Sequence, residues 1–202
     1  MSPPVPALVL ASASPTRARL LEAAGLKPTI EPAQLDEDTV KAAFRAEGRD
    51  AGDCAVALAE AKAKRVAARL PGALVLGADQ LLVCDGQWFD KPADRAAARA
   101  QLLALRGKRH VLPTAAALVK DGAAIWRALE RPALTMRRFS DAFLDAHLAA
   151  AGDAALGSVG GYQLEGRGIQ LMAEIEGDHF AILGLPLLPL LAFLRDSGVL
   201  AA

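Results

Sequence analysis

Residues 74–84 read LVLGADQLLVC, an apolar run that carries an aspartate and a glutamine side by side in its middle. An apolar run of this length bounded by turn residues is suited to a buried strand. A carboxylate inside one costs several kcal/mol unless a cation or good hydrogen bonds meet it. Asp79 therefore demands a partner from elsewhere in the chain. In a regular strand Asp79 and Gln80 point to opposite faces, so either one is held by a core network, or the backbone bends near Gly77 and both reach a cleft. Asp85 and Gly86 follow as a hairpin-type turn, after which Lys91, held by Pro92, can return toward Asp79.

The rest of the chain alternates strands and helices around this run. Residues 7–12, ALVLAS, form a short buried strand that leads into Ser14, Pro15 and an Arg/Leu-rich stretch closed by Gly25. That is a helix with a serine cap, a proline in its first turn and a glycine past its end. A second strand is expected over 27–31, then an acidic LDED segment, then a helix over 53–70 capped by Asp53 and closed by Pro71 and Gly72. A helix over 93–105 precedes two strands, 111–119 and 123–137, separated by a turn at Lys120, Asp121 and Gly122. Ser140 caps a helix to Ala151, and a glycine-rich loop, GSVGGYQLEGRG, leads to the strand IQLMAEI and a last helix over 186–195. There is no strict βαβ rhythm. The expectation is an α/β (α+β mixed) fold in a single domain over 1–202, with a central mixed β-sheet flanked by helices and a site at strand ends.

Composition narrows the partners. With 23 basic and 23 acidic residues the formal net charge is zero, which gives no general attraction to nucleic acid or an anionic membrane but allows a local basic pocket. Cys54 and Cys84 form no CxxC or Cys/His pattern, so free thiols in a reducing cytoplasm are expected. The start, MSPPVPALVLAS, lacks the basic and long apolar regions of a signal peptide, and AILGLPLLPLLAFL is interrupted by Pro186 and Pro189, so no membrane span is expected. His110, His147 and His179 have no metal-ligand spacing and are assigned structural or surface roles.

Several short segments could carry chemistry, and each also has a commonplace explanation. At ASASPTR the hydroxyls of Ser12 and Ser14, a helix N-terminus and Arg17 favour an anion, or make an ordinary capped helix. Lys62 lies between Leu58 and Val66 at the margin of an apolar helix face, where lysines commonly snorkel. Asp36, Glu37 and Asp38 suit a helix start; alternatively one of them joins Asp79 on a hard divalent cation such as Mg²⁺. In YQLEGRG the glycines permit a tight loop from which Glu165 and Arg167 project.

Taken in order, LASASPTRARLLEAAGL, LDED, LAEAKA, GADQLLVCDGQWFDKP, LEGRG and EGDHFAILGLPLLPLLAFL resemble the Maf family of nucleoside triphosphate pyrophosphatases over nearly the whole chain. The DQ pair and the glutamate of LEGRG are similar to the branch associated with 7-methyl-GTP, where the branch acting on dTTP and UTP would show DT and IQG. The resemblance implies a Maf/ITPase-like fold with an active-site cleft between two lobes. It also implies a cytoplasmic homodimer that uses Mg²⁺ or Mn²⁺ to cleave a nucleoside triphosphate between the α and β phosphates.

Carried over by residue, Asp79 matches the catalytic carboxylate and, with Glu37, the metal site. Glu37, Arg17, Lys62 and Lys91 match the charged residues of the active site, Ser12 the serine of the first motif, and Thr16, Gln80 and Glu165 the positions associated with base selectivity. On this reading the cations keep Asp79 ionised. Glu165 can accept the N1–H and N2–H donors of a guanine. One position departs: Thr16 stands where the 7-methyl-GTP branch would have Trp and the dTTP branch Arg, and it cannot stack on a methylated, positively charged base. The rival readings are a catalytically silent nucleotide-binding regulator of septum formation, a pyrophosphatase preferring dTTP or UTP, and a phosphatase releasing single phosphates.

Overall fold

In the computed structural model, which describes residues 7–201, the chain begins with β1 (Leu8–Leu10), α1 (Pro15–Ala23), β2 (Thr29–Ile30), α2 (Glu37–Ala46) and α3 (Ala51–Ala67). It continues through β3 (Leu74–Gln80), β4 (Leu82–Cys84), β5 (Gln87–Phe89), α4 (Arg95–Leu105), β6 (Arg109–Val111), β7 (Thr114–Lys120), β8 (Ala123–Glu130) and β9 (Ala133–Met136). After α5 (Asp141–Ala151) come short 3₁₀ turns, then β10 (Met172–Glu176), α6 (His179–Ile182) and α7 (Leu187–Asp196). The mixed α/β class is as expected.

The strands divide between two five-stranded sheets, ordered β2-β1-β3-β7-β8 and β10-β9-β6-β4-β5. The first is mixed, with β1 parallel to β2 and β3 and the remainder antiparallel; the second is antiparallel throughout. The run 74–84, expected as one strand, is two: β3 ends at Gln80 in the first sheet and β4 begins at Leu82 in the second. The runs 111–119 and 123–137 behave alike, passing between sheets at Leu112–Pro113 and at Arg131–Pro132. Proline has no N–H to give a ladder, so Pro113 and Pro132 interrupt the pairing there. Their carbonyls still accept from the neighbouring tracks, Leu81 N–H to Pro113 at 3.0 Å and Leu112 N–H to Pro132 at 2.9 Å.

The face alternation of β3 follows the apolar pattern. Leu74, Leu76 and Ala78 pack with Leu21 of α1 and with Leu190 and Leu194 of α7. On the other face Val75 meets Ala63 and Val66 of α3. Gly77 lies on that second face for a steric reason: a Cβ there would overlap the carbonyl oxygen of Ala59, so its absence lets α3 lie against the strand. The second sheet has its own core, in which Leu82, Leu134 and Met136 meet Leu102 of α4 and Leu144 of α5.

Helix α3 starts earlier than its sequence suggests. Asp50, not Asp53, is the cap, accepting from the N–H of Gly52 at 2.8 Å and of Asp53 at 3.3 Å. The LDED segment opens a helix of its own, α2, capped by Asp36. Residues 169–171 of the IQLMAEI segment lie in a 3₁₀ turn, so β10 begins only at Met172. The hairpin turns at Asp85–Gly86 and Asp121–Gly122 have positive φ at both residues, the type I′ geometry that joins twisted strands. Cys54 and Cys84 are free and buried. Among the described residues no helix is long and apolar enough to cross a membrane.

Candidate active site

Where the strands leave the first sheet for the second, a cleft of about 980 Å³ opens, lined by Ser12, Ser14, Thr16, Arg17, Glu37, Lys62, Asp79, Gln80, Lys91 and Glu165. Every residue singled out for the site in the sequence lies on its walls. Arg167 and the three histidines do not, among the described residues.

One wall is the junction between β1 and α1. Ser12 Oγ accepts from the Ser14 N–H at 3.2 Å and from Arg17 Nη1 at 3.0 Å, while Ser14 caps the helix by accepting from the Arg17 N–H at 3.4 Å. Arg17 Nε donates to the carbonyl of Gly184 at 2.7 Å. The guanidinium is thus fixed from two sides beside a helix N-terminus, an arrangement that receives an anion. Burial depresses the Arg17 pKa, and Asp79 and Glu37 act against that.

The floor answers the question raised by Asp79. Its side chain, with the residue only 4% exposed, accepts from Lys62 Nζ through Oδ1 at 2.6 Å. Lys62 is itself 6% exposed, and its ammonium lies 2.7 Å from Glu37 Oε1, so one lysine joins two carboxylates. The close seat of α3 over Gly77 brings Lys62 within reach. Burial nonetheless raises the Asp79 carboxyl above its ordinary value, outweighing Lys62 and Arg17. Lys62 and Arg17 oppose that rise, the effect expected of the cations, without cancelling it. Glu37 is also pushed up by burial, but Lys62, then Lys41 and Arg17, reverse this and leave it below the ordinary value.

Asp79 and Gln80 do go to opposite faces, and both reach the cleft because β3 stops there; the backbone does not bend at Gly77. Gln80 Nε2 donates to Thr114 Oγ1 at 2.8 Å and faces the carbonyls of Ala181 and Ile182, each at 3.0 Å. Thr114 already donates its hydroxyl proton to Leu112 O at 2.9 Å. The amide nitrogen is therefore fully committed, and what Gln80 offers the cleft is its oxygen. Glu165 Oε1 accepts from Thr16 Oγ1 at 3.2 Å and lies 3.9 Å from Arg19 Nη2. Lys91, exposed on the wall two residues beyond β5, sits below the ordinary lysine value through partial desolvation and then repulsion by Arg17 and Lys62.

Three further charged residues line the cleft that sequence reasoning missed: Lys41, Arg45 and Asp90. Glu37, Lys41 and Arg45 recur every fourth residue, and Asp90 directly precedes Lys91, so a signal was present. Among the described residues no cluster of three or more His, Cys, Asp or Glu side chains is poised for a metal ion. The donor set still suits a hard cation. Asp79 Oδ2 is buried without a hydrogen-bond partner, and Mg²⁺ is commonly held by one or two carboxylates completed by phosphate oxygens and water.

A family model described as Maf-like protein matches residues 7–197. A nucleoside triphosphate pyrophosphatase of Paramagnetospirillum magneticum is 57% identical over 95% of this chain and 99% of its own length. One of the same name from Rhodospirillum rubrum is 52% identical over 99% of each chain. A 7-methyl-GTP pyrophosphatase of Mesorhizobium japonicum is 50% identical over 96% of this chain and 97% of its own. With a cleft that gathers every motif of the resemblance and relatives alike from end to end, the chain belongs to the Maf family.

Proposed function

We propose that this chain is a metal-dependent nucleoside triphosphate pyrophosphatase, cleaving between the α and β phosphates to give a nucleoside monophosphate and pyrophosphate. The observation that carries the reading is the cleft floor: Lys62 between Asp79 and Glu37, with Asp79 Oδ2 left without a partner. The names of the relatives support the reaction class.

Phosphoryl transfer depends chiefly on positioning and charge neutralisation. Arg17, with the N–H groups opening α1 and the hydroxyls of Ser12 and Ser14, receives phosphate oxygens, and Lys91 faces them from the other wall. Asp79 accepts a proton from water as its oxygen bonds to the α-phosphorus; the α–β bridging P–O bond breaks, and its electron pair leaves with pyrophosphate. For that task Asp79 must be ionised, the form that Lys62 and Arg17 favour against burial. Lys62 holds Asp79 and Glu37 in place. Asp79 and Glu37 would hold Mg²⁺ or Mn²⁺, which when bound supplies neutralisation of phosphate charge.

For the base, Glu165 beside Thr16 presents acceptors suited to the N1–H and N2–H of guanine, and the free oxygen of Gln80 adds another acceptor. A relative named for 7-methyl-GTP points the same way. The reading treats residues 1–202 as one catalytic unit, supported by the three places where a strand of one sheet runs on into a strand of the other, and as a cytoplasmic homodimer by family expectation.

The test is a panel of 7-methyl-GTP, GTP, dTTP and UTP with Mg²⁺ or Mn²⁺, with products identified. Pyrophosphate plus monophosphate, fastest from the guanine nucleotides, is expected. Orthophosphate plus diphosphate defeats the reaction assignment, binding without turnover favours the silent regulator, and preference for dTTP removes the guanine assignment.

A further inference from the structure

A buried lysine on α2 has no part in the mechanism above. Lys41, with its side chain only 11% exposed, donates to Asp90 Oδ1 at 2.9 Å. Arg45, one turn on, takes the other oxygen of the same carboxylate at 2.9 Å, and its guanidinium lies 5.2 Å from the centre of the Trp88 ring. The main chain of Asp90 is held as well, its carbonyl accepting from Gln101 Nε2 of α4 at 3.0 Å. Asp90 is thus gripped by two helices, at its carboxylate and at its backbone, and the next residue is Lys91.

Such a grip is more than docking requires. Helix α2 buries only Lys41 and Phe44, and apolar side chains would hold the helix without the desolvation that a buried ammonium incurs. What a charged clamp adds is a single geometry. Burial opposes the Lys41 charge, yet Asp90 leaves its pKa raised, so the pair stays ionised. Lys41 also lies 3.9 Å from Glu37 Oε2. Charges therefore alternate along the cleft from Asp79 through Lys62, Glu37, Lys41 and Asp90 to Arg45. Lys91 has buried Pro92 on its other side, so its backbone is restricted from both directions.

We propose that Asp90 is a positioning residue: clamped by Lys41, Arg45 and Gln101, it fixes the backbone from which Lys91 enters the cleft. This rests on the role given to Lys91 above. The test measures pyrophosphate release from 7-methyl-GTP, GTP and dTTP with Mg²⁺ by wild type, Asp90→Ala, Asp90→Asn, Asp90→Glu, Lys91→Ala and the Asp90→Ala/Lys91→Ala double variant. Asp90→Ala is expected to lower kcat/KM by about 10–100-fold, mostly in kcat, with Asp90→Glu recovering part of the loss.

The decisive reading is the double variant. If Asp90 acts through Lys91, removing it from Lys91→Ala costs less than about threefold more. Equal loss in both backgrounds marks a merely structural residue and overturns the proposal while leaving the hydrolase reading intact. Should Asp90→Ala melt early, Asp90→Asn keeps the side-chain shape, and a wild-type kcat/KM there also overturns it. A wild-type rate in Lys91→Ala removes the role of Lys91 and the clamp with it, and no cleavage by wild type removes the proposed function itself.

Discussion

Two buried polar groups, one near each sheet's core, answer burial in opposite directions. Asp79 ends β3 in the first sheet, and its carboxyl is pushed up. His110 lies on β6 in the second, fully buried, and its imidazole is pushed down to about 4. In both cases burial disfavours the charged form. The surroundings differ: Asp79 lines the cleft among Lys62, Glu37 and Arg17, whereas His110 meets a neutral partner, Tyr162 Oη, at 2.7 Å beside the apolar core of α4 and α5. A buried titratable group is thus informative about chemistry when it stands at a cleft with other charges, and mainly about packing when it is enclosed with a neutral partner.

The sharpest way to break that contrast is to remove each group. Asp79→Asn should lower kcat by about a thousandfold with the fold retained, while His110→Gln stays within a few-fold of wild type. Comparable losses in the two would show that the His110–Tyr162 pair, of which Tyr162 lines the cleft, also serves the reaction.

Stability against pH separates the two next. The depressed His110 contributes stability that is present above the ordinary histidine value and is lost as pH falls from about 6.5 toward about 4, because the unfolded chain takes up a proton first. Chemical denaturation should show wild type losing up to about 3 kcal/mol more than His110→Gln over that interval. For Asp79 the sign reverses: its contribution is present below the ordinary carboxylate value and is lost as pH rises through the raised one. Asp79→Asn should therefore gain on wild type as pH rises from acid to neutral. In turnover, the alkaline limb set by Lys91 lies below the ordinary lysine range.

Smaller effects sharpen how each site is held. Gly77→Ala forces α3 off β3 and should cost about 1–3 kcal/mol by thermal or chemical denaturation, with a fall in kcat because Lys62 moves with the helix. Tyr162→Phe should cost about 1 kcal/mol for the lost hydrogen bond to His110. An unchanged melting curve for Gly77→Ala would show that the close approach of Ala59 relaxes without consequence.

Much of the site was legible because its residues sit in short ordered motifs at strand ends, and the strand ends converge. Asp79 announced itself as a carboxylate in an apolar run, and the LAEAKA segment held its partner. The division of the strands was not legible at Leu81, since a buried leucine continues the apolar run whether or not the chain changes sheets. Pro113 and Pro132 marked the other two crossings, but within runs that still read as strands. Lys41 and Arg45 escaped notice for a different reason. Glu37, Lys41 and Arg45 read alone as solvated i,i+4 pairs, and their common partner, Asp90, lies 45 residues beyond Arg45. The start of α3 was misplaced because Asp50 and Asp53 are both chemically able to cap it, and only geometry chooses.

The direct passage of the chain from one sheet to the other bears on how errors are prevented. A one-residue slip in β3 would turn Asp79 away from Lys62 and carry Leu74, Leu76 and Ala78 out of their core. Because β3 runs on into β4, the same slip would dislodge Leu82 from the core of the second sheet. Two separate hydrophobic interiors thus check the alignment of one strand, and the orientation of a single carboxylate is specified redundantly.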